Sequence, residues 1–434
     1  MISRPSILDS HPWQFPTPDI AQLDSGMRLW SYHLPGQLIL AADLVMELPI
    51  NSEPVGCEGV ATIAVRTLDE GTHAHPGPEF AAAMEDAAAR FHGLIGMSTT
   101  QCLLDLPYDC LDAGLELLAE AVSQPGYADE DVARIIAHRL AEIEQQESRG
   151  SYQASTALRR TLLDPALRVS RPIGGTAEDL RSLSAKDVAA FHRTHYRPQD
   201  ATLIIAGDLS GIDTLTAAQQ AFDSWNPSAQ PVLPDPITPG DRRRRVIHRD
   251  GAVQADIRLG WFGIDRRDPR WAPLQVGLAI MGGTFNSRLN TVLREERGYT
   301  YGVSMAAHPY RQGGTIDVST STRTAMTSAL LDETLEILQA REPFTNDEVD
   351  AAIGYLTLSA PLAFDTAEAV AAQAASIAAA RLELDHVTTT LDNLRKVTPA
   401  AAMEAYTSLV TPDQGAIVVV GDSNDMSDLG FTDY

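Results

Sequence analysis

The chain has 434 residues, enough for two or more domains with ample core. Its formal charge of −25 argues against nucleic acid or an anionic membrane surface as a partner, and favours solubility with at most a mild preference for cationic ligands. Three cysteines, Cys57, Cys102 and Cys110, fit a reducing compartment and form no metal-binding pattern. No segment approaches the roughly 20 apolar residues of a membrane span, and the opening MISRPSILDSHPWQF lacks a signal-peptide run, so a cytoplasmic protein without a membrane partner is expected.

In chain order, hydrophobic periodicity predicts strands over 27–33 and 38–47, then a helix opening at Gly59. A helix over 79–92, a strand pair near 98–106 and helices over 111–124 and 129–147 follow. The Pro-rich stretch 230–239 and the basic cluster Arg242–Arg245 read as a linker with a solvated end. Beyond it come a strand over 253–261, helices over 272–281 and 288–296, strands over 300–306 and 315–321, and helices from Ala325 onward.

The sequence also matches itself. RSLSAKDVAAFHRTHYRPQDATLIIAGD at 181–208 lies without a gap over RKVTPAAAMEAYTSLVTPDQGAIVVVGD at 395–422. Arg181, Pro198, Gly207 and Asp208 each precede Arg395, Pro412, Gly421 and Asp422 by the same offset. Each copy reads as a helix, a Pro-containing turn and a buried strand stopping at Gly-Asp, which indicates duplication. The expected architecture is therefore α+β, two homologous α/β-sandwich domains over 1–230 and 245–434 with a linker at 230–244.

Residues 59–72 read GVATIAVRTLDEGT. This segment resembles the metal-binding helix of the pitrilysin/insulinase-type zinc peptidases, family M16, whose frame is G-x-A-H-x-x-E-H followed by G-T. Gly59, Ala61, Gly71 and Thr72 keep the frame, while Thr62 and Arg66 stand at the two histidine positions and Val65 at the general base. Two histidines at i and i+4 share a helix face and bind one zinc ion. Thr62 offers a weak neutral oxygen, Arg66 stays protonated and repels a dication, and Val65 accepts no proton. Glu142 falls where the resemblance implies the third ligand; alone it holds no zinc, and its bland reading is a solvated or salt-bridged helix residue. Restoring His at 62 and 66 and Glu at 65 is expected to recover metal binding at most, not efficient cleavage.

The resemblance continues through 171–208 and is most specific in MGGTFNSRLNTVLREERGYTYGV at 281–303. There the family uses an Arg and a Tyr, and Arg294 and Tyr301 occupy those places. The implied role is to reach across a chamber and donate hydrogen bonds to a substrate carbonyl as it gains negative charge. Arg297 reads as a salt-bridge partner for Glu295 or Glu296. Without the resemblance, Arg294 is a surface residue of a charged helix and Tyr301 a strand residue facing the core.

The resemblance thus implies a non-catalytic subunit of an M16B-type heterodimer, binding no cofactor itself and closing the chamber of a homologous subunit whose intact H-x-x-E-H motif carries zinc. A peptide substrate is implied, bound by addition to a sheet edge, with residues 97–103 as the corresponding edge. Two alternatives stand beside this. One is a structural or binding scaffold derived from a peptidase, like respiratory core proteins. The other is a metallopeptidase with relocated ligands drawn from His138 with Glu142, His73 with His75, or His192 with His195.

Overall fold

The computed structural model describes residues 13–227, 231–240, 244–311, 313–339, 341–426, 429 and 432–433. Of the expected linker, residues 230 and 241–243 lie outside the described residues, including Arg242 and Arg243 of the basic cluster.

Among the described residues, two six-stranded sheets organise the fold. The first contains β1 (Asp19–Gln22), β2 (Arg28–His33), β3 (Ile39–Met46), β4 (Arg90–Ile95), β5 (Thr100–Pro107) and β6 (Ala201–Gly207), in the order β1-β2-β6-β3-β5-β4. The second contains β7 (Arg244–His248), β8 (Gln254–Gly263), β9 (Val303–Tyr310), β10 (Gly313–Arg323), β11 (Ala416–Gly421) and β12 (Thr432–Asp433), in the order β12-β7-β11-β8-β10-β9. In both sheets the strand ending in Gly-Asp sits at the centre, parallel to one neighbour and antiparallel to the other. β6 and β11 are buried at every position, which is why they read as continuous apolar runs rather than alternating ones.

The duplication seen in the sequence is a duplication of structure. The repeated helices are Ala185–His195 and Pro399–Leu409, whose first and last residues differ by one constant offset. Each is capped by a hydroxyl residue, Ser184 and Thr398. The Asp after each central strand makes the same clamp: Asp208 accepts from the backbone N–H of Gly36 at 2.8 Å, and Asp422 from that of Gly251 at 2.8 Å. His33 and His248 stand beside these carboxylates at 3.8 and 3.7 Å.

Each half also covers the other's sheet. The Gly150–Leu162 helix precedes the linker, yet packs on β8 and β11, where Ala154, Ala157 and Leu158 meet Ala416, Val418 and Val420. The Ala367–Ala380 helix returns the favour on β3 and β6. Its alanines allow close approach of helix to sheet. A single core cluster therefore contains Trp30, Val45 and Ile204 from the first sheet and Leu274, Ile316 and Ala371 from the second half.

Sequence periodicity went astray between residues 79 and 106. The helix is Pro78–Asp86, not 79–92; Ala88 turns the chain at a φ of 47° and β4 begins at Arg90. The strand pair expected near 98–106 is β5 paired to this earlier β4, across a turn in which Gly96 N–H bonds the Thr99 carbonyl at 2.8 Å. The Ala-rich helical pattern concealed the short alternation of RFHGLI. Consequently β5 is interior, and the edge of the first sheet on that side is β4 rather than residues 97–103.

Candidate functional site

The Val60–Arg66 helix starts at Gly59, held at a φ of 97°. An added Cβ at Gly59 would lie 2.9 Å from the Gly174 carbonyl oxygen, and one at Gly71 would lie 2.3 Å from the Gly77 nitrogen. The frame glycines therefore serve close backbone packing, whatever the helix carries. Glu53, itself buried, accepts from the N–H groups of Gly59 and Ala61 at 3.0 Å each and caps the helix start. The buried Arg168 binds the other Glu53 oxygen at 2.7 Å.

The three positions that would carry chemistry carry packing and charge neutralisation instead. Thr62 is buried and its hydroxyl has no hydrogen-bond partner. Val65 is 1% exposed and packs on β4, its Cγ2 only 2.7 Å from where a Cβ on Gly93 would sit. Arg66 leaves the core and donates to both Glu142 oxygens at 2.9 Å, while Arg139 donates to the same carboxylate at 2.9 Å. Burial works to raise the Glu142 pKa, but the bonds from Arg139 and Arg66 outweigh it and hold the carboxyl below its ordinary value. Glu142 is the salt-bridged helix residue of its bland reading. These residues do not fit zinc: a neutral hydroxyl, a hydrocarbon and a guanidinium replace two imidazoles and a base, and the remaining carboxylate is already paired with cations.

The other histidines have ordinary partners. His192 is buried with Nε2 at 3.0 Å from the Val122 carbonyl, and burial lowers its pKa to about 4. His195 lies against the Phe191 ring, and His75 Nδ1 is 3.0 Å from Glu120, which also pairs with Thr72. His138 is exposed on the Asp129–Glu147 helix. Among the described residues no group of three His, Cys, Asp or Glu side chains is placed to hold a metal ion.

In the second half, the Trp271–Leu278 helix widens to a π turn at Ala279–Gly283, and Thr291–Glu296 forms a second π turn bearing Arg294. The Arg294 guanidinium lies over the Phe285 ring, 3.5 Å from its centroid, and bonds the Phe285 carbonyl at 3.1 Å. It also pairs with Glu295 at 2.9 Å. Arg297, expected to pair with Glu295 or Glu296, instead reaches Glu333 on the Thr327–Gln339 helix at 2.9 Å. Glu295 was already taken by Arg294.

Tyr301 does not face the core. It is 95% exposed, although the backbone around it is pinned. Thr322 Oγ1 donates to the Tyr299 carbonyl at 2.7 Å, and Gly302 N–H donates to Thr300 Oγ1 at 3.1 Å. Asn290, buried, fastens the Arg294-bearing turn to β9 by donating to the Val303 carbonyl at 2.8 Å and accepting from Val303 N–H at 2.9 Å. Sequence reasoning did not single out Asn290; its place inside the signature, as a polar residue between Leu289 and Leu293, was the available signal. The structure thus brings Thr62, Val65, Arg66 and Glu142 together at one helix pair, and Arg294 with Phe285 elsewhere; among the described residues no hydrogen bond or ion pair joins the two groups.

Comparison with known proteins agrees with this picture. The family profile described as Peptidase M16 inactive domain matches residues 182–356, a span that includes Arg294 and Tyr301. An uncharacterised zinc protease of Streptomyces coelicolor is 28% identical over 45% of this chain and 45% of its own length, so the chain spans less than half of that relative. The non-peptidase homolog YmxG of Helicobacter pylori is 22% identical over 71% of this chain and 76% of its own. The crystal structure of a peptidase M16 inactive domain from Pseudomonas fluorescens superposes with a TM-score of 0.87 at 22% identity, covering 95% of this chain and all 100% of that one. Fold and comparisons together define a two-sheet α+β protein with the fold of M16 peptidase domains. Residues 182–356 are similar to the M16 inactive-domain profile, and the chain as a whole has the M16 peptidase fold.

Proposed function

We propose that the chain is the non-catalytic subunit of a heterodimeric M16B-type zinc metallopeptidase, and that it supplies Arg294 and Tyr301 to the active site of a homologous, zinc-bearing partner. One contrast carries this reading. The positions that would serve chemistry in the first half are filled by buried Thr62 and Val65 and by the Arg66–Glu142 ion pair, whereas Tyr301 presents a free phenol to solvent from a rigidly tied backbone.

Arg294 and Tyr301 are both donors, suited to a carbonyl oxygen that becomes an oxyanion during hydrolysis. Phe285 and Glu295 preset the guanidinium, which lowers the ordering cost when substrate arrives. The partner would hold the zinc and the general base. The substrate is a peptide in extended form, with a mild leaning to cationic sequences from the net charge of −25. The free thiols of Cys57, Cys102 and Cys110 suit a reducing compartment, and a cytoplasmic location is part of the proposal.

The test is reconstitution with the homologous subunit that carries an intact H-x-x-E-H motif. The two chains are expected to co-elute as a 1:1 complex, with peptide hydrolysis only in the mixture. Stoichiometric zinc and cleavage by this chain alone would sink the reading. A pull-down returning only non-peptidase partners would favour the scaffold alternative.

A further inference from the structure

Beneath the helices of the second half lies a cavity of about 530 Å³, lined by Trp271, Leu278, Met305, Leu356 and Leu391 among others, and floored by β9. It lies apart from Arg294, Tyr301 and the degenerate helix, none of which lines it. Its walls are mostly apolar, and the polar residues that line it include Arg266, His386, Thr390, Gln275, Gln373 and Ser359.

The charge at this cavity runs against the rest of the molecule. The chain holds 58 Asp and Glu residues against 33 Lys and Arg, yet no Asp or Glu lines the cavity. Arg266 is half-buried there and donates to Ser376 Oγ at 2.8 Å, with no carboxylate beside it among the described residues. Its neighbours are accounted for differently: Arg267 pairs with Asp265, and Arg270 with Asp268. The Gln275 side-chain oxygen is buried without a hydrogen-bond partner. Burial alone depresses the Arg266 pKa, as expected for a guanidinium that lacks a counter-ion. Burial, then Arg266 itself, lowers that of His386, which leaves Arg266 as the cation at neutral pH.

A desolvated guanidinium without a carboxylate partner in the lining of an apolar cavity is a costly arrangement for a protein with acidic residues to spare. A ligand that brings a carboxylate to Arg266 and buries hydrocarbon along the walls removes that cost. The partnerless Gln275 oxygen is then available as an acceptor for a water carried in with the ligand. We infer that this cavity is a binding site for a small aliphatic monocarboxylate of the fatty-acid type, held by Arg266 at its head and by Leu278, Met305, Leu356 and Leu391 along its tail. The inference is independent of the subunit role proposed above, and its failure would leave that role untouched.

Isothermal titration of the full chain with octanoate, decanoate and dodecanoate, below their micellar concentrations, tests it, with dodecanol as the uncharged control. Saturable 1:1 binding is expected, weakening about fourfold for each methylene removed. Dodecanol is expected to bind at least tenfold more weakly than dodecanoate. Arg266→Met should cost dodecanoate tenfold or more and leave dodecanol unchanged. Ala307→Phe, which projects into the cavity from β9, should abolish both; circular dichroism and an unchanged Tm verify folding, and Arg266→Met stands as the test if that variant does not fold. Absence of saturable binding, equal affinity for acid and alcohol, or indifference to Arg266→Met would each overturn the proposal.

Discussion

Arg66 places a positive charge where a metallopeptidase would place an imidazole, and the consequence is local neutralisation rather than catalysis. Its partner Glu142 is about two-fifths exposed on its side chain, so the pair is screened by solvent. Arg66→Ala is accordingly expected to cost ~1 kcal/mol or less in chemical denaturation. Because the folded-state pKa of Glu142 is depressed, what the pair contributes is present above the ordinary carboxylate range and is lost as pH falls through the folded value. Asp43 behaves in the opposite sense. It sits on β3, is buried, and neither carboxyl oxygen has a partner; burial, then the charge of Asp105, push its pKa up to about 8. Between the unfolded value and about 8 the unfolded chain gives up this proton while the folded chain keeps it, so the penalty grows as pH rises across that window. Asp43→Asn should therefore raise the denaturation midpoint, and the gain measured at pH 7 should exceed the gain at pH 5. An equal gain at both values would contradict the assignment.

Among the secondary-structure elements, the helix that opens at Gly59 shows what was legible in the sequence and what was not. The loss of ligands at 62, 65 and 66 could be read from residue identity alone, because no arrangement of Thr, Val and Arg makes a zinc site. The retained glycines could be recognised but not explained. Their reason is three-dimensional: Gly59 opens the helix at a φ of 97° against the Gly174 carbonyl, and Gly175 packs under the same helix start at a φ of 73°, where a Cβ would lie 2.3 Å from the Glu58 carbonyl oxygen. Gly175→Ala is expected to destabilise by ~2 kcal/mol or more, read by urea denaturation. A neutral result would remove the packing account of the frame. β4 was illegible for another reason. Its six residues follow an Ala-rich helix directly, and period-2 alternation that short is swamped by the preceding helical signal. The exposed ring of Tyr301 was missed by pattern as well, since a residue next to a strand reads as core unless the chain's ties around it are known.

For the whole molecule, the duplication foretold two sheets but not their exchange of helices. Periodicity reports which face of a helix is apolar and says nothing about which sheet it meets. The Gly150–Leu162 and Ala367–Ala380 helices therefore cross between halves that the linker divides in sequence. Glu47 reinforces the crossing: nearly buried, it binds Arg28 at 2.9 Å in its own half, and Arg311 at 3.0 Å and Arg381 at 2.7 Å in the other. Burial works to raise its pKa, and the bonds from Arg381 and Arg28, with the charge of Arg311, more than reverse that. Removing one member of such a group strands the others, so Glu47→Gln is expected to cost ~3 kcal/mol, a difference that shrinks as pH falls below the carboxylate range. For the same reason residues 1–230 expressed alone should be poorly folded, and co-expression with 231–434 should restore a soluble complex. A cooperative unfolding transition from the first half alone would contradict this.

The central claim is that the chain lends Arg294 and Tyr301 to a partner's active site. The most direct measurement is kcat/KM for peptide hydrolysis by the reconstituted heterodimer with Arg294→Ala or Tyr301→Phe in this chain. The account predicts a loss of about 10² or more for Arg294→Ala and a smaller loss for Tyr301→Phe, with assembly unchanged. Wild-type rates from both variants in an intact complex would contradict it.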